Sequence, residues 1–205
     1  MAVMPRAVVN STREVGPLTL RAEFVPNSVN VEQRTAQLIW TTGARVLRGG
    51  IWSEPFYEEL SLDPKHVRMT RLQSGTAPLL DSHRANSIGD ILGVVENAQL
   101  EKTRGTATVR FARTPAGDQA LGMAADGILK NVSNGYRVYE MTQMDDAPDG
   151  MPVFRATDWE PAELTLAPIG ADAGAVVRSA SGDRNPCVFV TRTKETKMQD
   201  VDDDN

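Results

Sequence analysis

A chain of 205 residues suits one domain, or at most two small ones, and is long enough to bury a single sizeable core. Hydrophobic residues at 40% against 24% charged describe a folded globular chain and exclude wholesale disorder. A net charge of -5 with a pI near 5.1 lacks the basic footprint of nucleic-acid binding, and the uncharged run between Arg34 and Arg45 is too short for a membrane-spanning helix of about 20 residues. Neither nucleic acid nor a membrane is expected as a partner. The N-terminus has no charged leader followed by an apolar stretch of signal-peptide length, so export is not indicated and the cytoplasm is the default. A single cysteine, Cys187, cannot form an internal disulfide. With only His66 and His83 beside it, no zinc pattern can be assembled, and no metal is expected.

Short alternating apolar runs and scattered Gly and Pro favour a mainly β domain with few helices. Leu18 to Phe24 has period two, with Leu18, Leu20, Ala22 and Phe24 against Thr19, Arg21 and Glu23. A second strand is expected over Ala36 to Val46, bent at Gly43. Ile51 to Leu62 forms another segment with Trp52, Phe56 and Tyr57. Asp63-Pro64 has the chemistry of a helix start, which predicts a short helix to about Leu72. Ala77 to His83 and Ile88 to Gln99 read as strands. Thr103-Arg104-Gly105 then makes a hairpin to Thr106 to Phe111. Thr114-Pro115 opens the best helix, with Leu121, Ala124, Ala125 and Ile128 at helical spacing and Gly127 at its stop. Strand resumes from Asn131 to Tyr139, breaks in the polar loop Asp145 to Gly150, and returns at Val153 and again over Glu163 to Leu166. Cys187 sits in a strand-like Cys-Val-Phe-Val run and is read as a bystander. The chain divides into a domain over 1–178 and a polar tail or linker over 179–205 that ends in Asp202-Asp203-Asp204-Asn205.

Nucleotide-binding glycine motifs, the His-Glu-x-x-His metal signature and the Gly-x-Ser-x-Gly elbow are all missing from the sequence. Of the two histidines, His66 lies among cations in Lys65-His66-Val67-Arg68 and reads as a solvated surface group. His83 ends the apolar run Leu79-Leu80-Asp81-Ser82-His83, where an imidazole could act as a base or simply make a structural hydrogen bond. Alternation places Ser133 on one strand face with Gly135 and Arg137. Opposite a position without a side chain, a serine either has room for a substrate or satisfies a helix-to-strand turn. Glu163 and Thr165 oppose Leu164 and Leu166, so Glu163 is either an edge charge or a carboxylate placed to orient an imidazole.

These segments, in this order, resemble the prohead serine proteases of HK97-like tailed phages over roughly Leu18 to Val177. The resemblance is carried by Pro-Leu-Leu-Asp-Ser-His with the following Ile-Gly-Asp-Ile-Leu-Gly-Val-Val, by Asp-Gly-Ile-Leu leading into Val-Ser-x-Gly-Tyr-Arg, and by Glu-Leu-Thr-Leu-Ala-Pro-Ile-Gly-Ala-Asp-Ala. Asn134 stands where that family has an apolar residue. The resemblance implies an assemblin-like β-barrel flanked by helices. It also implies a serine endopeptidase with Ser133 as nucleophile, His83 as general base and Glu163 as third member, Glu160 and Asp81 being rivals for that last role. Its substrates would be scaffold and major capsid proteins, and the chain itself, inside the prohead in the host cytoplasm. No cofactor is implied, and a homo-oligomer is compatible with this setting. The acidic end would be a self-trimmed tail or the break point of a longer chain. The rival reading is an inactive scaffold or shell component in which Ser133 and His83 are only structural.

Overall fold

A sheet that curls can bury the apolar faces of its alternating runs together, and in the computed structural model it closes on itself. Described are residues 8–25, 27–49, 55–168 and 184–192. The strands are β1 (Val8–Val15), β2 (Leu18–Phe24), β3 (Thr35–Thr41), β4 (Val46–Arg48), β5 (Phe56–Leu60), β6 (Pro78–Asp81), β7 (Ile91–Leu100), β8 (Gly105–Phe111), β9 (Asn131–Gln143), β10 (Val153–Leu166) and β11 (Asn185–Arg192). Two helices, α1 (Thr70–Gln73) and α2 (Pro115–Ala125), and a 3-10 turn at Ile88–Asp90 complete the described elements. Strand order runs β1-β11-β9-β2-β3-β8-β7-β6-β10-β5-β4, and β9 also pairs with β10. That extra pairing closes a barrel of seven strands, β9-β2-β3-β8-β7-β6-β10. The ladder continues past it on one side as β11 and β1, and on the other as β5 and β4.

The barrel fills with the inward residues of each run, among them Leu20, Leu38, Trp40, Val95, Val109, Phe111, Val132, Trp159 and Leu164, all 6% exposed or less. Such alternation is what a closed sheet requires of its sequence. Trp40 and Trp159 meet with ring centroids 6.0 Å apart, and Tyr136 meets Trp159 edge-on at 5.7 Å. Close packing also explains Gly105, where an added Cβ would fall 2.3 Å from the Trp40 ring. Thr114 caps α2 through a hydrogen bond from the Gly117 amide at 3.1 Å, and the helix ends before Gly127 at φ +68°.

Several expectations need correction. The helix expected from Asp63 to Leu72 is reduced to α1, because the Trp159 amide donates to the His66 carbonyl and the Arg68 amide to the Trp159 carbonyl, holding this stretch as a bridge to β10. The strand expected over Ala36 to Val46 is β3 and β4, separated at Gly43 with φ +65°. The two late strands are one, β10, which passes Pro161 by a register shift between Pro161 and Glu163. Inside the stretch expected as a tail, β11 pairs with β1 along its whole length and buries Cys187 and Phe189 completely or nearly so; 184–192 is therefore part of the sheet. Trp52, residues 169–183 and 193–205 lie outside the described residues.

Candidate functional site

Strand β6 stops at Asp81, and the chain turns sharply through Ser82 and His83, both in the left-handed region at φ +54° and +59°. Non-glycine residues hold that conformation only where their surroundings fix it. Here the Ser82 amide donates to the Leu166 carbonyl at 2.9 Å, and the His83 amide donates to Thr165 Oγ1 at 2.9 Å. The turn thus brings the His83 ring to β10, where Nδ1 lies 2.6 Å from Glu163 Oε1. Both side chains are half-buried, at 21% and 15% exposure.

The antiparallel register of β9 and β10 sets Thr165 opposite Ser133 and Glu163 opposite Gly135. Sequence alternation suggested open space over Gly135. The structure fills it: an added Cβ would lie 2.1 Å from Glu163 Oε1. Ser133 is 3% exposed, and its hydroxyl donates to the Leu20 carbonyl of β2 at 3.0 Å. The architecture therefore joins His83 to Glu163 and sets Ser133 on the neighbouring strand. Among the described residues the Ser133 proton is directed to a backbone carbonyl, and no hydrogen bond connects it to the imidazole.

The rival acids are engaged elsewhere. Glu160 accepts from the Tyr139 hydroxyl at 2.9 Å, and burial together with Glu160 pushes the Tyr139 pKa up. Asp81 pairs with Arg84 and accepts from the Ser82 hydroxyl at 2.8 Å. His66 departs from the expected solvated role, because its Nδ1 is 2.7 Å from the buried Ser61 hydroxyl. Cys187 is fully buried in β11, and burial pushes its thiol up to about 12. No group of three or more His, Cys, Asp or Glu side chains among the described residues could hold a metal ion. An open groove of about 280 Å³ lies on the outer faces of β3, β7 and β8, lined by Gln37, Asn97, Gln99, Thr106 and Thr108. It includes no member of the His83 cluster.

The most demanding polar cluster escaped sequence reading. Arg48 and Glu58 are 4% and 0% exposed and meet at 2.8 Å, Tyr136 donates its hydroxyl to Glu58, and Arg48 donates to Tyr136 and to the Thr19 carbonyl. Burial, then Glu58, push the Tyr136 phenol well above its usual range. For Arg48, burial opposes the charge, but Tyr136 and Glu58 outweigh it and hold the guanidinium above its ordinary value. One signal was available: period two places Glu58 on the same face as the apolar Phe56 and Leu60. Asn134 is also fully buried, with neither amide atom partnered among the described residues.

No family model matches the chain, and no solved structure does. Similarity is found to the major capsid protein of Halomonas phage phiHAP-1, 32% identical over 135 residues, which is 65% of this chain and 22% of that protein. The chain spans about a fifth of the length of the curated relative it matches. The matched protein is named as a major capsid protein. This corrects the assignment to the prohead serine proteases, together with the endopeptidase activity, the hydrolase class and the self-processing that the resemblance implied.

Proposed function

We propose that the chain is a shell or scaffold component of a phage prohead, a barrel unit of a capsid-type polypeptide. The observation that carries this reading is the 32% identity to a major capsid protein across 135 residues. The polar cluster on β9 and β10 fits a structural role: Glu163 occupies the space over Gly135, His83 clamps the turn after β6 to β10, and Ser133 ties β9 to β2. His83, Ser133 and Glu163 are fasteners in this account. Partners are the scaffold and major capsid proteins of the same phage, met inside the prohead in the host cytoplasm. An assemblin-like form of the barrel belongs to the same proposal, supported by the seven-strand closure with helices outside it.

Co-expression with the major capsid and scaffold proteins of its phage tests the reading. The chain should sediment with assembled shells and resist removal by a salt wash that strips loosely bound proteins. Recovery only in the soluble fraction, beside shells of normal size, would refute it.

A further inference from the structure

The two ends of the strand ladder are built differently. At one end β4 is three residues long, and its Arg48 side chain turns inward to Glu58. Natural sheets commonly blunt an edge by such shortness. At the other end β1 runs for eight residues, in unbroken register with β11 from Val8 opposite Arg192 to Val15 opposite Asn185. It contains no proline, no lysine and no bulge, devices that guard an edge against pairing with another strand, and its charges are confined to Arg13 and Glu14. Among the described residues β11 is its only strand neighbour. Half of its backbone N–H and C=O groups therefore point away from the sheet, as antiparallel pairing dictates. Six of its eight residues are exposed, including Val8 at 61% and Val9 at 49%. Burial of side chains thus contributes little to ordering this strand.

We propose that β1 is an interaction edge that pairs antiparallel with β1 of a second copy of this chain, extending the sheet across a two-fold axis. In at least one antiparallel register two copies meet with no like charges facing. Val8 and Val9 lie at one end of the strand and Arg13 and Glu14 at the other. An antiparallel pair centred on Ser11 sets Val9 opposite Arg13 and Val8 opposite Glu14, with no like charges facing. A parallel, in-register pair would set Arg13 on Arg13 and Glu14 on Glu14, which is destabilising. A two-fold of this kind is self-complementary and closes after two copies, so it gives dimers rather than fibres. This inference does not rest on the shell reading, since self-pairing needs no capsid partner.

Light scattering on the full chain across a concentration series, with two substitutions at one exposed site, tests it. Val9→Arg places a cation opposite Arg13 of the second copy twice per dimer, and it should weaken dimerisation by roughly tenfold. Val9→Glu places an anion there and should preserve or tighten the dimer. Circular dichroism should be unchanged in both, because the Val9 side chain is exposed. A wild-type chain that stays monomeric throughout the series would overturn the proposal. So would equal responses to Arg and Glu at residue 9, which would assign the effect to lost apolar surface. Neither result would bear on co-sedimentation with shells, so the two proposals fail separately.

Discussion

At Glu163, one carboxylate holds a turn in place. Oε1 meets His83, while Oε2 is buried with no partner among the described residues, so the side chain is kept in place mainly by its single bond to the imidazole and by the close fit over Gly135. Glu163→Gln should lower stability by about 1 kcal/mol, the difference between a charged and a neutral hydrogen bond, read as a shift of the urea midpoint at constant slope. Gly135→Ala should cost more, about 1 to 3 kcal/mol, because the new methyl overlaps the carboxylate and must push it off His83. Its crystal structure should show the imidazole displaced from Glu163. Cys187 supplies a pH test. With its folded pKa raised to about 12 from an ordinary 9.0, the folded state binds the proton more tightly than the unfolded state does. The thiol contributes no pH dependence below about pH 9, and stability falls as pH rises from there towards 12. At neutral pH alkylation of Cys187 should proceed at the rate of unfolding, and rapid modification of the native chain would show that the burial is wrong.

Among the elements, legibility followed the source of each strand's order. Period two alone marks β2, β8 and the start of β9, because their alternating faces are the inside and outside of the barrel. The hairpin from β7 to β8 was readable from Thr103-Arg104-Gly105, and α2 from its Thr-Pro start. What failed depended on contacts distant in sequence. The stretch after Asp63 has helix-start chemistry, yet it makes one turn, and hydrogen bonds with Trp159 then hold Val67 as a bridge to β10. Pro161 signals a break in a single strand, yet a shifted register carries β10 past it. The buried Arg48, Glu58 and Tyr136 cluster connects β4, β5 and β9 and could be suspected only from Glu58 on an apolar face. Removing one partner leaves buried charge behind, so Arg48→Met should destabilise by about 3 to 5 kcal/mol. Tyr136→Phe should cost less, about 1 to 3 kcal/mol, and guanidinium unfolding of the two variants gives the order.

At the scale of the whole molecule, the mainly β class was legible and barrel closure was not, since alternation says that a face is buried without saying which strand meets which. The site was half legible. The sequence brought His83, Ser133 and Glu163 forward as a set only through the family resemblance. It could not show that Ser133 donates to Leu20, or that Glu163 fills the space over Gly135. The reading of 179–205 as a tail missed β11, whose Cys187 and Phe189 complete the packing beside β9. Truncation after residue 183 should therefore remove about 3 kcal/mol or more, from the lost burial of these two side chains alone. Thermal unfolding of the shortened chain reads that loss, and an unchanged midpoint would return the segment to a dispensable role.

Reaction of the native, full-length chain with a fluorophosphonate probe tests most directly whether this cluster fastens a shell component. A serine whose hydroxyl is buried and donates to a backbone carbonyl is not activated for attack. The fastener role of Ser133 predicts no adduct there and an unchanged intact mass after prolonged incubation. Stoichiometric labelling at Ser133, lost in Ser133→Ala and in His83→Ala, would contradict it.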